Sequence, residues 1–159
     1  MARERYRRGG TAPNQVCICV DEIRAGEFGG KVYSRYSRNP WEFHSLIELL
    51  GGMESFYNKI AFPQSAVQLR GINWHAPGNL PGKTEEPVLE KEFLTEKKGV
   101  CATYLVTVRY RQNATWQGSF LWVEENRARE FKSTLELMML IDKALKEHLS
   151  GRNTLRRNW

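Results

Sequence analysis

Long apolar runs are missing from this chain of 159 residues. No stretch approaches the roughly 18 consecutive apolar residues of a membrane-spanning helix, so we expect no transmembrane segment. The first ten residues, MARERYRRGG, are charged but lead into no apolar stretch, which argues against a secretory signal. Cysteine is scarce: three residues, an odd number without paired zinc spacing, indicate a reducing compartment. We therefore expect a cytoplasmic protein that does not enter a membrane.

Motifs of known catalytic chemistry are also missing. The chain contains no G-x-S-x-G, H-E-x-x-H, Walker A or dinucleotide-binding glycine pattern. Its histidines, at positions 44, 75 and 148, are scattered, and Cys17 and Cys19 are separated by a single residue, whereas zinc sites favour two to four. We expect buried thiols, no metal site and no cofactor. The chain is predicted not to be an enzyme.

The net charge of +6 belongs entirely to the two ends of the chain. Residues 1–15 carry +3 and residues 150–159 another +3, while the acidic and basic residues between them cancel. We expect both ends to be basic tails outside the core, and the N-terminal tail, 1–15, to be disordered. Basic tails are compatible with nucleic acid as a partner. A neutral body equally fits tails that are simply solvated.

Two segments of the chain align without a gap when one is shifted by 88 positions. The first runs over Val16–Tyr57 and the second over Tyr104–Leu145. The identical residues in the two segments are Val20/Val108, Gly30/Gly118, Glu42/Glu130, Phe43/Phe131, Ser45/Ser133, Glu48/Glu136 and Leu49/Leu137. This pattern predicts an internal duplication. The repeats span 16–60 and 104–149 within one domain, 16–149, and are joined by a strand and loop segment, 61–103.

Each repeat has the pattern of a strand, a turn, a return strand and a helix. In the second repeat, apolar and aromatic residues alternate with more polar ones over Tyr104–Arg111 before a return strand at Phe120–Val123. In the first, glycines at 26, 29 and 30 suggest the turn and Val32–Tyr36 the return strand. The equivalent Gly30 and Gly118 indicate either positive φ or close backbone approach. A further strand is predicted at Val67–Trp74 in the connection.

The helices begin at two S-x-x-E patterns, Ser45 to Glu48 and Ser133 to Glu136. In such a capping box the serine oxygen accepts from the third helical amide, and the glutamate reaches back to the serine N–H. The second helix carries an apolar stripe of Leu135, Met138, Met139, Ile141 and Leu145. The first is interrupted by Gly51-Gly52, and we expect a kink or reduced stability there.

These elements predict an α+β fold. A single strand–strand–helix unit cannot bury both its sheet face and its helix stripe. Two units related by a pseudo-two-fold axis can join their edges into one antiparallel sheet with both helices packed on one face. The predicted architecture is a duplicated ββα unit.

The best candidate binding surface is the tip of the second hairpin. Its candidate residues are Arg109, Arg111, Gln112, Asn113, Trp116 and Gln117. Alternation along the strand predicts that the guanidinium groups of Arg109 and Arg111 both project from the polar face of the sheet. With an exposed indole, this set can stack a base and bind phosphate, or form a protein hot spot. The alternative is that Trp116 packs inward, as its counterpart Phe28 is expected to do.

The motif RQNATWQG, followed by FKSTLELMMLID, resembles a family of short uncharacterised proteins from clostridial-type bacteria. The resemblance covers Tyr104–His148 and implies a bacterial origin, with no activity attached to it.

Three functions remain open from the sequence. The first is a non-catalytic interaction or regulatory module with a protein partner. The second is a nucleic-acid-associated protein that uses its basic tails and the Arg109–Trp116 hairpin. The third is a binder of a small ligand or carbohydrate, for which a deep pocket lined by Trp122 would be the sign.

Overall fold

The computed structural model describes residues 13–61, 86–111 and 115–150. In these residues a six-stranded antiparallel sheet has the order β3-β2-β1-β4-β5-β6, so β3 and β6 form its edges. The elements are β1 (Val16–Arg24), β2 (Glu27–Tyr33), β3 (Trp41–Phe43), α1 (Leu46–Ile60), α2 (Glu92–Thr95), β4 (Ala102–Tyr110), β5 (Gln117–Trp122), β6 (Arg127–Phe131) and α3 (Thr134–Leu149). The α+β class predicted from the sequence is confirmed. The strand predicted at Val67–Trp74 lies outside the described residues.

The strands differ in extent from the predicted ones. The first hairpin turns at Ala25 and Gly26, whose φ values are 49° and 83°, and β2 begins directly afterwards. The glycines at 29 and 30 therefore lie in the strand and not in the turn. A third, short strand follows in each half, β3 beside β2 and β6 beside β5. The sequence pattern misses these strands because an edge strand of three to five residues shows too few alternations.

An irregularity in β1 and another in β4 change which side chains face the helices. The pairing register shifts between Val20 and Glu22 in β1, and between Val108 and Tyr110 in β4. A bulge inserts one extra residue, so residues after it point to the opposite face from that expected by simple alternation. Glu22, which simple alternation would place on the same face as Val20, is therefore exposed.

Gly30 and Gly118 stand where two strands approach closely. A Cβ atom at Gly30 would lie 1.8 Å from the carbonyl oxygen of Cys19, and one at Gly118 would lie 1.9 Å from that of Thr107. Neither glycine has positive φ. Of the two explanations left open by the sequence, close backbone approach is the one that applies.

Side chains from the strands and from both long helices form a single apolar core. The residues buried there from the helices are Leu49, Met53, Tyr57 and Ile60 of α1, and Leu137, Ile141, Ala144 and Leu145 of α3. They pack with inward-facing strand residues such as Val16, Ile18, Val106 and Phe120. On α3 the buried residues fall three and four apart, and this excludes Leu135 and Met139 from the core; they are 63% and 62% exposed. The predicted stripe on α3 was therefore too wide.

The two helix starts have the serine contact that the S-x-x-E pattern predicts. Ser45 Oγ accepts from the Glu48 amide at 3.1 Å, and Ser133 Oγ accepts from the Glu136 amide at 3.1 Å. The glutamates behave differently from the prediction. The carboxylate of Glu48 accepts from the amide of His44 at 2.6 Å, and that of Glu136 accepts from the amide of Lys132 at 2.5 Å. Each donor is the residue before the capping serine and not the serine itself.

The two glycines in α1 do not interrupt it, since the helix is continuous from Leu46 to Ile60. Gly52 lies under the ring of Trp41, and a Cβ atom there would come within 2.3 Å of Trp41 Cζ3. Gly51 points into open space. The packing of Trp41 therefore requires glycine at position 52. The sequence pattern alone could not distinguish this requirement from a glycine that breaks the helix.

The predicted N-terminal tail, 1–15, extends too far. Asn14 and Gln15 are buried. The Asn14 side-chain amide donates to the carbonyl of Val108, and Gln15 Nε2 donates to Thr107 Oγ1 at 3.1 Å. These contacts attach the start of β1 to the far end of β4. Residues 1–12 and 151–159 lie outside the described part of the chain.

Candidate functional site

The predicted hairpin surface is divided by the structure into buried and exposed parts. Arg111 is 4% exposed, because the bulge in β4 turns its side chain toward α1. Its Nη1 donates to Glu54 Oε1 at 3.2 Å and to Asn58 Oδ1 at 2.8 Å. The guanidinium also lies 5.7 Å from the ring centroid of Tyr57. The prediction that both guanidinium groups project from the polar face of the sheet is wrong for Arg111.

Trp116 is also buried, with 5% of its surface exposed. Its indole Nε1 donates to Glu54 Oε2 at 2.9 Å, and its ring meets Tyr57 edge to face at 5.6 Å. Its backbone amide donates to Thr134 Oγ1 at the start of α3. The stacking surface required an exposed indole, and that condition is not met. Trp116 occupies the inward position that the sequence allowed as the alternative.

The remaining hairpin residues do not assemble an arginine–aromatic patch in the described chain. Arg109 is exposed and forms two hydrogen bonds with the carboxylate of Glu130, at 2.6 and 2.8 Å. Gln117 is half-buried at the start of β5. Gln112 and Asn113 lie outside the described residues.

A groove lies between α3 and the edge strand β6, with a volume of about 690 Å³. Its lining residues are Arg129, Glu130, Glu136, Met139, Leu140, Asp142, Lys143, Lys146, Glu147 and Ser150. Met139 and Leu140 provide its apolar part, and the exposed Leu135 lies one helical turn before Met139. The groove thus combines an apolar strip on α3 with the edge of the sheet.

Several charges around the groove form ion pairs within the chain. Lys146 contacts Asp142 at 2.8 Å along α3, and Arg127 of β6 contacts Glu147 at 2.8 Å. The Arg127–Glu147 pair is mostly buried and connects the edge strand to the helix. A partner in this groove would therefore meet apolar side chains bordered by charges that already have partners.

The place 88 positions earlier in the chain is closed. Subtracting 88 from Arg129 and Leu140 leads to Trp41 and Gly52, whose side chain and backbone pack against each other. The registers agree, because Trp41 pairs with Val32 as Arg129 pairs with Phe120. An indole covers the flank of α1, whereas the exposed Arg129 leaves the flank of α3 open.

A second cluster lies on the opposite face of the sheet. Cys17, Cys19 and Leu94 are buried there, with Tyr33, Phe93 and Leu105 packed around them. The two sulfur atoms are 3.8 Å apart. A hydrogen bond between the two thiols, in which either sulfur atom can be the donor, lowers the pKa of Cys19; the same hydrogen bond, followed by burial, raises the pKa of Cys17. Among the described residues, no group of three or more histidine, cysteine and acidic side chains is arranged to hold a metal ion.

The groove was not found from the sequence, although a signal for it exists. Leu135 and Met139 are four residues apart and fall outside the spacing of Leu137, Ile141 and Leu145. Applied strictly, the 3.6-residue period of a helix places Leu135 and Met139 on a different face from the buried stripe.

Comparison with known proteins provides no relative for this chain: no protein family, no curated protein and no solved structure matches it. None of the helices in the described residues has the length and apolar character needed to cross a membrane.

Proposed function

We propose that this chain is a non-catalytic protein-interaction module, and that the groove between β6 and α3 binds an extended segment of a protein partner. The observation that carries the proposal is the difference between the two halves. Trp41 fills the flank of α1, while the equivalent flank of α3 is an open groove with Met139 exposed at its side. The partner would supply the large apolar side chain that the second half of the chain lacks.

The comparison of the halves rests on duplication, which is part of the proposal. In our interpretation the chain is a repeated strand–strand–helix unit, extended by the short strands β3 and β6. The pairs Val20–Gly30 and Val108–Gly118 are 88 positions apart, as are the register shifts that follow them. Both helices would lie on one face of the sheet, related by a pseudo-two-fold axis, and their shared core supports this arrangement.

The edge position of β6 adds to the proposal. An edge strand leaves a row of backbone N–H and C=O groups without a partner strand, and a peptide can pair with them. The opposite edge, β3, has three residues, whereas β6 has five. Charged residues on an edge usually discourage unspecific pairing. Here Arg127 and Glu130 already form ion pairs within the chain, so a partner strand need not supply opposite charges for them.

The other functions have less support in the described residues. Binding of nucleic acid through the hairpin would require Arg111 and Trp116 at the surface, and both are buried. Binding of a small ligand in a pocket lined by Trp122 would require an open indole. That ring packs against Tyr104 and under the guanidinium of Arg127, and it does not line the groove. The three free thiols are compatible with our expectation of a cytoplasmic location.

The proposal is tested by selecting peptides from a displayed random library against the wild-type protein. We expect the selected peptides to share a large apolar residue and to bind Met139→Glu at least about tenfold more weakly, which corresponds to about 1.4 kcal/mol. The matched control is Ile47→Glu, because Ile47 is 83% exposed near the start of α1, where the flank is closed.

Peptides that bind Met139→Glu as well as wild type, or that lose binding to Ile47→Glu to the same extent, would place the docking surface elsewhere. Both variants change exposed residues, so their urea unfolding curves should match that of the wild type.

A further inference from the structure

The pair Cys17–Cys19 has a geometry that the sequence could not reveal. Both side chains leave the same face of β1, and their sulfur atoms are 3.8 Å apart. In a tetrahedral site with metal–sulfur distances of about 2.3 Å, two thiolates lie about 3.8 Å from each other. The two thiols therefore already have the separation of two ligands on one metal ion.

The fold does not require cysteine at these positions. The residues 88 positions later, Leu105 and Thr107, occupy the same places in β4, and Leu105 packs in the same cluster. Leucine and threonine thus satisfy an equivalent strand position. If the only demand at Cys17 and Cys19 were apolar packing, ordinary residues of this kind would meet it.

We propose that Cys17 and Cys19 form a two-thiolate binding site for a thiophilic d¹⁰ cation, of the class of Zn²⁺, Cu⁺ and Cd²⁺. Thiolates are the ligands that select such soft cations. The carbonyl oxygen of Lys97 lies 4.0 Å from Cys17 Sγ and borders the site. The coordination positions that these groups leave open would be filled by a ligand from solution, such as a small thiol.

Both thiols must lose their protons to serve as ligands. Cations bind the thiolate forms, so binding releases the thiol protons and becomes tighter as pH rises.

Access to the site depends on a small covering element. Leu94, the buried residue of α2, closes the cluster, and α2 has four residues without a side-chain cap. Lys97 lies above the rings of Phe93 and Tyr33 at 4.6 and 5.0 Å. Displacement of this single helical turn would expose both sulfur atoms without breaking the pairing of β1 with β2 or β4.

The experiment is an anaerobic titration of the reduced full chain with Cd²⁺ alone, followed by the ultraviolet charge-transfer absorption of cadmium–thiolate bonds. We expect saturation at one ion per chain. The Cys17→Leu/Cys19→Thr variant, which copies Leu105 and Thr107, should remain folded and lose the absorption. Cys101→Ser is the matched control and should keep it, because Cys101 contacts the carbonyl of Asp21 and not this pair.

Leu94→Ala should bind Cd²⁺ faster, since it removes the cover while leaving both ligands. If the double variant does not fold, the single variants Cys17→Ser and Cys19→Ser give the same test, each losing the one-ion absorption. A wild-type protein without this absorption, or absorption that persists when both thiols are replaced, would overturn the proposal.

Discussion

Cys17 lies opposite Leu105 in the central strand pair, and these two residues are also 88 positions apart. Their neighbours are exchanged around them: Val16 pairs with Val106, and Ile18 pairs with Tyr104. A two-fold axis normal to the sheet and passing between Cys17 and Leu105 would superpose β1 on β4. The proposed duplication therefore has its centre at this pair, where one copy carries a thiol and the other an apolar side chain.

Arg109 in β4 and Arg111 just after its end should have very different effects on stability. Arg111→Ala removes a buried guanidinium and leaves Glu54 without one partner, so we expect a loss of about 2–4 kcal/mol in the free energy of unfolding. Arg109→Ala breaks an exposed pair with Glu130 and should cost about 0–1 kcal/mol. Urea unfolding of both variants checks this. Equal losses would contradict the inward position of Arg111.

The neighbouring glycines of α1 should respond in opposite directions. Gly51→Ala places a methyl group in open space within a helix and should raise the free energy of unfolding by about 1 kcal/mol. Gly52→Ala forces the ring of Trp41 to move and should lower it by about 1–3 kcal/mol. Thermal unfolding of the two variants measures the difference. Adding Trp41→Ala should remove the clash at Gly52, and a double variant without relief would argue against this packing.

Gly30 and Gly118, which both lie against a neighbouring backbone carbonyl, should resist substitution. An added methyl group meets a backbone carbonyl oxygen within 2 Å, and a strand in the middle of a sheet cannot move aside as a side chain can. We expect Gly30→Ala and Gly118→Ala each to lose at least about 3 kcal/mol or fail to fold. The yield of folded protein and the urea midpoint are the measurements. Gly26→Ala provides the control for a glycine with open space around it, with only its positive φ to oppose the change.

The hydroxyl of Tyr57 should be dispensable for stability. It is fully buried and has no hydrogen-bond partner among the described residues, so Tyr57→Phe should be neutral or stabilise by up to about 1 kcal/mol. A loss of more than 1 kcal/mol would show that the hydroxyl is bonded after all.

The same tyrosine predicts a dependence on alkaline pH. Burial raises the pKa of Tyr57, so the folded state keeps the neutral phenol while the unfolded state ionises near pH 10. Below pH 10 the stabilising contribution of Tyr57 to the free energy of unfolding is fully present. Above pH 10 ionisation of the phenol in the unfolded state lowers the free energy of unfolding by up to about 1.4 kcal/mol per pH unit. The free energy of unfolding should therefore fall less steeply between pH 9.5 and 11 in Tyr57→Phe than in wild type. Identical slopes would contradict the buried phenol.

Local features of the sequence determined where the helices begin and which residues of β1 face the core before its bulge. Ser45 and Ser133 bond to amides three residues away, an interaction contained in a single turn and therefore visible in four letters of sequence. The alternation of Val16, Ile18 and Val20 likewise reflects the two-residue period of a strand. The α+β class follows from these local patterns.

Tertiary structure alone decided the positions that matter for the proposed sites. A bulge turned Arg111 inward. The residues around it carry no sequence signal for the bulge, because a bulge depends on the register with the neighbouring strand. Gly52 has the sequence pattern of a helix breaker until Trp41 is placed above it. The open flank of α3 and the 3.8 Å between two thiols arise from contacts between separate elements or from side-chain orientation. Such contacts depend on distances in space, which the order of residues does not contain.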